Sequence, residues 1–428
     1  MSKTYCSKLW DHQYIHMSGS FRFCCATNDN IVNPKNIRYN INDTSLENVW
    51  NSEHICNTRL KMIRGEKISE CKKCVEQESR GYKSMRSIIN KDINFNSTDS
   101  EGKVKIMPNT MELHYGNVCN LKCRMCSQNY SNQIGKELLE IGQKDKNFIE
   151  WVIKESGNVN NWTNNLSIEY SWFQNKKNKN KLNDFISKNI NILTVIGGEP
   201  TIIPEFYDLF DYCEKQNTLK SKHFTIVTNL TNTNPKMVQW LSKLKNWTIW
   251  ASLDGIGERT EYIRYPSNFK KIQENLLFYK SLCKEYKNGK IIFSPAIQLL
   301  NIDQLDEMLE WFIILAEDKW TYNFDVSWMA QVWYPRICNY DIAPRDYRLK
   351  VADKLEKKVE FFKNYKTIIN FYENQIENLR KDVLDQNTEK HLQKCFIRYN
   401  DKLDQHRGRT TWRKLLPELE TALTKSVG

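Results

Sequence analysis

The stretch CNLKCRMCS, residues 119–127, places Cys119, Cys123 and Cys126 at a three-then-two spacing. Four thiolates in two CxxC pairs would read as structural zinc, which takes a closed tetrahedron. Three thiolates in one short loop read as a metal centre with one corner kept for another ligand. The surroundings of the loop decide what fills that corner.

The chain has 428 residues, 40% of them hydrophobic and 12% aromatic, enough to bury a sizeable core. General disorder is excluded on that composition. No stretch approaches the roughly 20 apolar residues of a membrane span. The opening MSKTYCSKLWDHQY lacks the apolar core of a secretory signal, so the expected location is the cytoplasm. In that reducing compartment the 13 cysteines point to metal or redox work rather than to disulfides. Cys213, Cys283, Cys338 and Cys395 are scattered singly and read as buried small hydrophobes. The formal charge of +12 comes largely from lysine mixed with asparagine, as in NKKNKNKLND (175–184), a solvated stretch. No arginine-rich run with interleaved aromatics accompanies it, so nucleic acid is not the expected partner. An acidic substrate or partner remains compatible with the charge.

From about residue 105, short apolar runs alternate with amphipathic helical patterns. MELHY (111–115), NILTVIG (191–197), HFTIVTN (223–229), WTIWASL (247–253), IIFSPAIQL (291–299) and YNFDVSWM (322–329) read as six strands. Such alternation implies parallel strands with right-handed crossovers. The expected fold class is therefore α/β, six units that suggest a TIM-like barrel or a partial (β/α)6 barrel over residues 105–341. The connection spanning 128–190 is expected to carry a surface insertion. Residues 1–104 read as a separate small module. In it YIHMSGSFRFCC forms a hairpin turning near Gly19, SLENVWNSEHICNTRLKMIRG forms a helix, and NKDINFNSTDSEGK (90–103) is a linker. Residues 342–428 read as a helical C-terminal extension, and no internal repeat is visible.

In parallel α/β barrels, reacting groups gather at the C-terminal ends of the strands. The cysteine loop follows the first strand, GGEP (197–200) the second, TN (228–229) the third and SLDG (252–255) the fourth. Gly197 and Gly198 by themselves suit a strand-to-helix turn as well as a ligand. Beside a metal loop, Glu199 or the bare carbonyls gain a second use, accepting hydrogen bonds from a ligand ammonium. Trp328, Trp333 and Tyr334 after the sixth strand either line a substrate mouth or pack under the C-terminal helices.

The CxxxCxxC loop after the first strand, followed by GGEP after the second, resembles the radical S-adenosylmethionine (SAM) superfamily over roughly residues 107–330. The resemblance implies that Cys119, Cys123 and Cys126 hold a 4Fe-4S cluster, and that the amino and carboxylate groups of SAM chelate its fourth iron. It implies that Gly197, Gly198 and Glu199 contact the methionyl amino group. Thr228 and Ser252 then match strand-end positions that contact the ribose or carboxylate. Arg264, in YIR, matches an arginine that pairs with the SAM carboxylate, a task suited to a guanidinium. Met125 stands where many members have an aromatic residue near the adenine, and a thioether can pack against a purine.

Cys6, Gly19 and Cys24, with Cys71 and Cys74 in CKKC, resemble a SPASM or twitch auxiliary-cluster module. The single-cluster twitch arrangement matches better, because no further cysteines follow CKKC before the core. The resemblance implies one auxiliary 4Fe-4S cluster on Cys6, Cys24, Cys71 and Cys74, placed before the barrel where such modules usually follow it. Cys25 and Cys56 compete as ligands, and zinc on the same four cysteines is the alternative.

The family's chemistry is reductive cleavage of SAM to methionine and a 5′-deoxyadenosyl radical, which abstracts hydrogen from a substrate. The cofactor carries that chemistry and the protein orients it, so no catalytic side chain is named. The resemblance implies a reducing electron donor such as flavodoxin or ferredoxin. It further implies a peptide or protein substrate, with dehydrogenation of a sugar-like small molecule as the alternative. A zinc-containing nucleic-acid-binding protein is the reading from a different class.

Overall fold

A computed structural model of the chain describes residues 4–79, 84–90, 97–159, 165–316, 324–326 and 331–428. It forms two compact units. One comprises Met1–Val118, Glu169–Val227 and Asn234–Trp247; the other comprises Cys119–Ile168, Thr228–Thr233 and Thr248–Gly428.

The first unit is built on β1 (His12–Ile15), β2 (Phe21–Arg22), β3 (Thr110–Tyr115), β4 (Ile192–Gly197), β5 (His223–Thr228) and the start of β6 (Asn246–Ala251). Its strand order is β2-β1-β3-β4-β5-β6. The hairpin is present, with Tyr14 opposite Arg22 and Ile15 opposite Phe21. It turns at Gly19 with φ 78°, a left-handed conformation that glycine adopts without a Cβ penalty. The module is not separate from the sheet, however. β1 lies parallel to β3, from His12 beside Thr110 to Ile15 beside Leu113. Among the described residues β1 thus adds a parallel strand to the six that the barrel pattern alone predicts. The hairpin reading located the end of β1 but not its second partner, because four residues, HQYI, are too short for periodicity to show that the strand also joins a parallel sheet.

β3 buries Met111, Leu113, His114 and Tyr115, the near-continuous burial of a parallel strand covered on both faces. Its crossover to β4 includes the helix Lys176–Asn189, with the Asn175 side chain capping the Asn178 N–H. Leu182, Phe185 and Ile186 are buried on this helix while Lys176, Lys177 and Lys181 are exposed. The lysine-rich stretch is therefore a half-buried crossover helix rather than a surface insertion. The helix Pro204–Lys215 leads to β5 and starts at a proline, whose missing N–H costs nothing there. Phe210 on it stacks on Trp240 at 4.8 Å and meets Phe224 edge-on at 4.6 Å. SLENVWNSEHICNTRLKMIRG forms two helices, Leu46–Trp50 and Glu53–Arg64, broken at Asn51 and Ser52. The described end of the expected linker is pinned: Arg59 Nη1 donates to the Gly102 carbonyl at 3.2 Å and Trp10 Nε1 to Thr98 at 2.8 Å.

The second unit takes the rest of β6, then β7 (Gly289–Phe293) and β8 (Phe324–Val326), in the order β6-β7-β8. β7 pairs parallel to β8, Ile291 beside Phe324. It ends before Pro295, which lacks the N–H a ladder needs. The expected strand IIFSPAIQL therefore stops at Phe293, and an isolated bridge links Ile297 to Gln331. After residue 342 come the helices Arg345–Glu356, Lys366–Leu379, Gln386–Arg407 and Pro417–Val427. The 22-residue helix Gln386–Arg407 is capped by Asp385, which accepts from Asn387 and Thr388, and stops at Gly408 with φ 61°. Among the described residues no helix is long and apolar enough to cross a membrane.

The glycine pair has a steric reason within the first unit. Gly197 lies opposite Tyr115 in the β3–β4 register. A Cβ on Gly198 would sit 2.1 Å from the carbonyl oxygen of Val118, the residue before Cys119. The Glu199 N–H donates to that same carbonyl at 2.8 Å. Gly198→Ala should therefore lower stability by about 1–3 kcal/mol through overpacking. Urea unfolding of the variant beside wild type checks this; equal midpoints would mean that the backbone has room to move.

Candidate functional site

In the second unit the cysteine loop is compact and mostly buried. Cys119, Leu121 and Cys123 are buried together, with Met125 and Cys126 packed against them. The loop is shaped by its own backbone. The Leu121 N–H donates to Cys119 Sγ at 3.4 Å, and the Cys126 N–H donates to the Cys123 carbonyl at 3.0 Å. Ser131 Oγ donates to the Leu121 carbonyl at 2.6 Å, and Asn132 Oδ1 accepts from the Cys119 N–H at 3.3 Å. Burial raises the Cys126 thiol well above its ordinary value, and Cys123 and Cys119 raise it further. The thiols of Cys123 and Cys126, both raised by burial, resist becoming thiolates until a cationic group binds them. The donor set fits a cluster held by three cysteines.

Arg264 is the neighbouring counter-charge. It is buried, and its proximity lowers the Cys123 and Cys126 thiols against the larger effect of burial. Its Nε lies 2.7 Å from Oδ2 of Asp254, which is fully buried. The contact is an ion pair rather than an aligned hydrogen bond, since both atoms lack a hydrogen-bond partner of good geometry. Asp254 Oδ1 accepts from the Ala296 N–H at 2.7 Å, and the Asp254 carbonyl accepts from Asn301 Nδ2 at 2.9 Å. Asp254 thus fixes both Arg264 and the loop after β7. The sequence displays it in SLDG without marking it, because a lone aspartate after a strand has no spacing signature.

Thr228 ends β5 and is buried; its Oγ1 accepts from the Leu230 N–H at 3.2 Å and so helps hold Leu230 at φ 61°. The half-buried Ser252 follows β6, and its N–H donates to the Thr228 carbonyl at 2.9 Å. In the first unit Glu199 is buried, and its Oε1 accepts from the Thr201 N–H at 3.1 Å and hydroxyl at 2.7 Å. Its carboxylate therefore caps the turn Pro200–Ile202, a structural task that the GGEP motif did not reveal.

Also in the first unit, Cys6, Cys24, Cys71 and Cys74 line one pocket, with Lys8 and Arg86 in its wall. Cys71 ends the turn Ser69–Cys71 and Cys74 lies three residues on in the helix Lys72–Ser79, so the CKKC spacing turns both sulfurs the same way. Burial pushes the Cys71 thiol up to about 12, and Cys6, Cys24 and Cys74 add to the rise. The same crowding makes this set fit a cationic metal group. Cys25 and Cys56 do not line the pocket. Cys25 is exposed with Glu112 as its neighbour, and the buried Cys56 donates its thiol to the Asn51 carbonyl at 3.5 Å. Cys213, Cys283, Cys338 and Cys395 are all buried, as expected. Trp333 and Tyr334 are exposed, so neither packs under the C-terminal helices, and Trp328 lies outside the described residues.

What sequence patterns missed is a clamp on the cysteine loop from the C-terminal helix Gln386–Arg407. Arg124, between Cys123 and Met125, is 2% exposed. Its Nη1 donates to Asn400 at 2.9 Å, its Nη2 pairs with Asp404, and its Nε donates to the Tyr262 carbonyl at 3.1 Å. The guanidinium also lies 3.7 Å over the Tyr262 ring. Asp404 accepts in addition from the Tyr262 hydroxyl at 3.0 Å and the Trp412 N–H at 3.0 Å. One turn on, Arg407 forms a two-point pair with the fully buried Glu137 at 3.0 and 2.7 Å and donates to the Lys122 carbonyl at 2.7 Å. Asp404→Asn would leave Arg124 buried without its counter-charge and should cost about 3–5 kcal/mol, whereas Arg124→Met/Asp404→Leu should recover most of that. Urea unfolding of both variants checks the pair; equal losses would point to shape rather than charge.

Residues 113–312 match the family model of the radical SAM superfamily, and residues 6–75 match that of the SPASM iron–sulfur cluster-binding domain. Partly similar solved structures include hexahistidine-tagged anSMEcpe with bound AdoMet, at 15% identity and TM-score 0.37, covering 60% of this chain and 62% of that one. Streptococcus suis SuiB bound to S-adenosylmethionine is similar at 15% identity and TM-score 0.25, covering 55% of this chain and 53% of that one. SuiB bound to its precursor peptide SuiA is similar at 13% identity and TM-score 0.27, covering 72% of each. The chain thus spans less than two thirds of the length of the first two. No curated protein sequence matches it. With its cysteine loop after β3 and a second cysteine-lined pocket near its N-terminus, the chain carries a radical SAM core over residues 113–312 and, ahead of it, a SPASM-type iron–sulfur cluster-binding module over residues 6–75.

Proposed function

We propose that the chain cleaves SAM reductively and uses the resulting radical to modify a peptide or protein substrate. The observation that carries the reading is the trio Cys119, Cys123 and Cys126 in one buried loop that supplies three thiolates and no fourth. In this reading they hold a 4Fe-4S cluster whose open iron takes the amino and carboxylate groups of SAM. The bound cluster supplies the electron, from a donor of the flavodoxin or ferredoxin kind, that starts the reaction. The protein's own part is to bind and orient. Gly197, Gly198 and the Glu199 backbone receive the methionyl amino group, while the Glu199 carboxylate stays on Thr201. Thr228 and Ser252 meet the ribose or carboxylate, Met125 packs near the adenine, and Arg264 neutralises the SAM carboxylate.

Cys6, Cys24, Cys71 and Cys74 hold the auxiliary cluster, of the 4Fe-4S type. Four protein ligands leave it no open iron, which suits electron transfer rather than substrate binding. The assignment of residues 1–104 to the auxiliary module, 105–341 to the core and 342–428 to the extension belongs to the same reading, as does a cytoplasmic location. The peptide class rests on the SPASM-type module, whose family members mostly modify peptides.

Cys119→Ala, Cys123→Ala and Cys126→Ala should each abolish 5′-deoxyadenosine formation from SAM under dithionite. Reconstituted wild type should hold about eight irons and the triple variant about four, as two four-iron clusters require. Substantial SAM cleavage by any single variant would sink the assignment, and a triple variant holding zinc and no iron would make the N-terminal pocket a zinc site. For the substrate, deuterium carried from a labelled peptide into 5′-deoxyadenosine supports the peptide class. Transfer from a sugar alcohol instead would replace it.

Arg264 separates binding from cluster assembly. Charge-assisted hydrogen bonds contribute roughly 1.5–3 kcal/mol, so its loss should weaken SAM binding by about one to two orders of magnitude at 1.4 kcal/mol per tenfold. Because Arg264→Ala would strand Asp254, Arg264→Ala/Asp254→Asn is the cleaner variant. Its iron content should match wild type, and Arg264→Lys should recover only part of the affinity, since an ammonium lacks the planar two-point contact. Unchanged SAM affinity in the double variant would assign the carboxylate to another residue.

A further inference from the structure

We propose that Glu155, His391 and Cys395 form a zinc site separate from the iron-binding cysteines. Their ligand atoms all lie within 4.8 Å of one another. Glu155 closes the C-terminal end of the helix Lys146–Lys154. His391 and Cys395 are four residues apart on the helix Gln386–Arg407, so they project from one face. Glu155 Oε2 is 3.0 Å from His391 Nε2, and Cys395 Sγ is 3.7 Å from the same nitrogen.

The spacing suits a tetrahedral ion. With Zn–N of about 2.0–2.1 Å, Zn–O of about 2.0–2.2 Å and Zn–S of about 2.3 Å, nitrogen and oxygen would stand about 3.4 Å apart and sulfur and nitrogen about 3.6 Å apart. The two contacts to His391 Nε2 lie within a few tenths of an ångström of those separations, and the Glu155 oxygen and Cys395 sulfur lie within 4.8 Å of each other. Thiolate, imidazole and carboxylate together favour Zn2+ over the hard cations Ca2+ and Mg2+, which take oxygen ligands. Three protein donors leave a fourth corner for water on the side of the exposed His391. Asn158 Nδ2 donates to Glu155 Oε2 at 3.0 Å, the outer contact that orients a ligating carboxylate.

A plain histidine–glutamate ion pair explains the same atoms less well. Nε2 carries at most one proton. If it donates to Glu155 it cannot also accept from the Cys395 thiol, and if it accepts from the thiol it has nothing to give the carboxylate. A divalent cation among the three satisfies every donor atom at once, releasing the thiol proton on binding. The site would tie the segment after the cysteine loop to the helix that carries Asn400, Asp404 and Arg407. Its role is therefore a structural staple on that helix.

The test loads the iron sites of the full chain anaerobically, adds Zn2+, removes the excess and counts metals by mass spectrometry. Wild type should retain one zinc per chain beyond its iron. Losing an outer-shell partner alone lowers metal affinity about 10–100-fold, so losing a ligand should do at least as much. His391→Ala and Cys395→Ser should each lose that zinc with iron unchanged, and Zn2+ should raise the melting temperature of wild type only. Zinc K-edge absorption should show one sulfur and otherwise light atoms. Equal zinc in wild type and His391→Ala, or a shell of four sulfurs, would overturn the proposal. Because His391 is exposed, His391→Ala decides the matter should Cys395→Ser misfold.

Discussion

Arg124 stands between two of the three loop cysteines with its guanidinium out of water, and its charge must be met there. Asp404 meets it, Asn400 and the Tyr262 carbonyl take further N–H groups, and the Tyr262 ring covers one face. Burial lowers the Arg124 pKa from its ordinary value and the nearby Arg407 adds to that, while Tyr262 and Asp404 oppose it. A buried pair of this kind contributes little net stability compared with apolar packing, yet breaking it is costly. Its effect is on geometry: the cysteines cannot drift without dragging a charge from its partner. Arg407 and Glu137 apply the same constraint one turn further along. The C-terminal helices are thus part of the floor beneath the loop.

A complementary electrostatic problem recurs at both cysteine sets. Burial raises the Cys126 and Cys71 thiols, and in each case neighbouring cysteines raise them further. Such sets are unfavourable as bare thiolates and become favourable once a cationic group shares their charge. The protein places guanidinium or ammonium groups at both, Arg264 at the loop and Lys8 with Arg86 at the N-terminal pocket. At the loop Asp254 offsets part of that positive charge and keeps Arg264 in place. Metal loading and local order are accordingly coupled at each set.

Glycine and proline set the edges of this frame. Gly198 lets the chain after β4 pass against the Val118 carbonyl, and Pro295 ends the ladder of β7. Both effects are local and steric, so both are visible in the residues themselves once the strands are known.

The sequence by itself determined the cysteine loop, the glycine pair after β4, the alternation of strands and helices and the CKKC pair Cys71 and Cys74. Each is a short-range spacing whose chemistry does not depend on distant residues. Only the tertiary structure decided which cysteines meet: Cys25 and Cys56 lie as near in sequence as the others yet leave the pocket. It also placed β1 beside β3, gave the Glu199 carboxylate to Thr201 and set Asp254 against Arg264. The pairing of Arg124 with Asp404 joins residues 280 positions apart. No periodicity encodes such contacts, because a buried charge is satisfied by whichever opposite charge the folded backbone brings within reach.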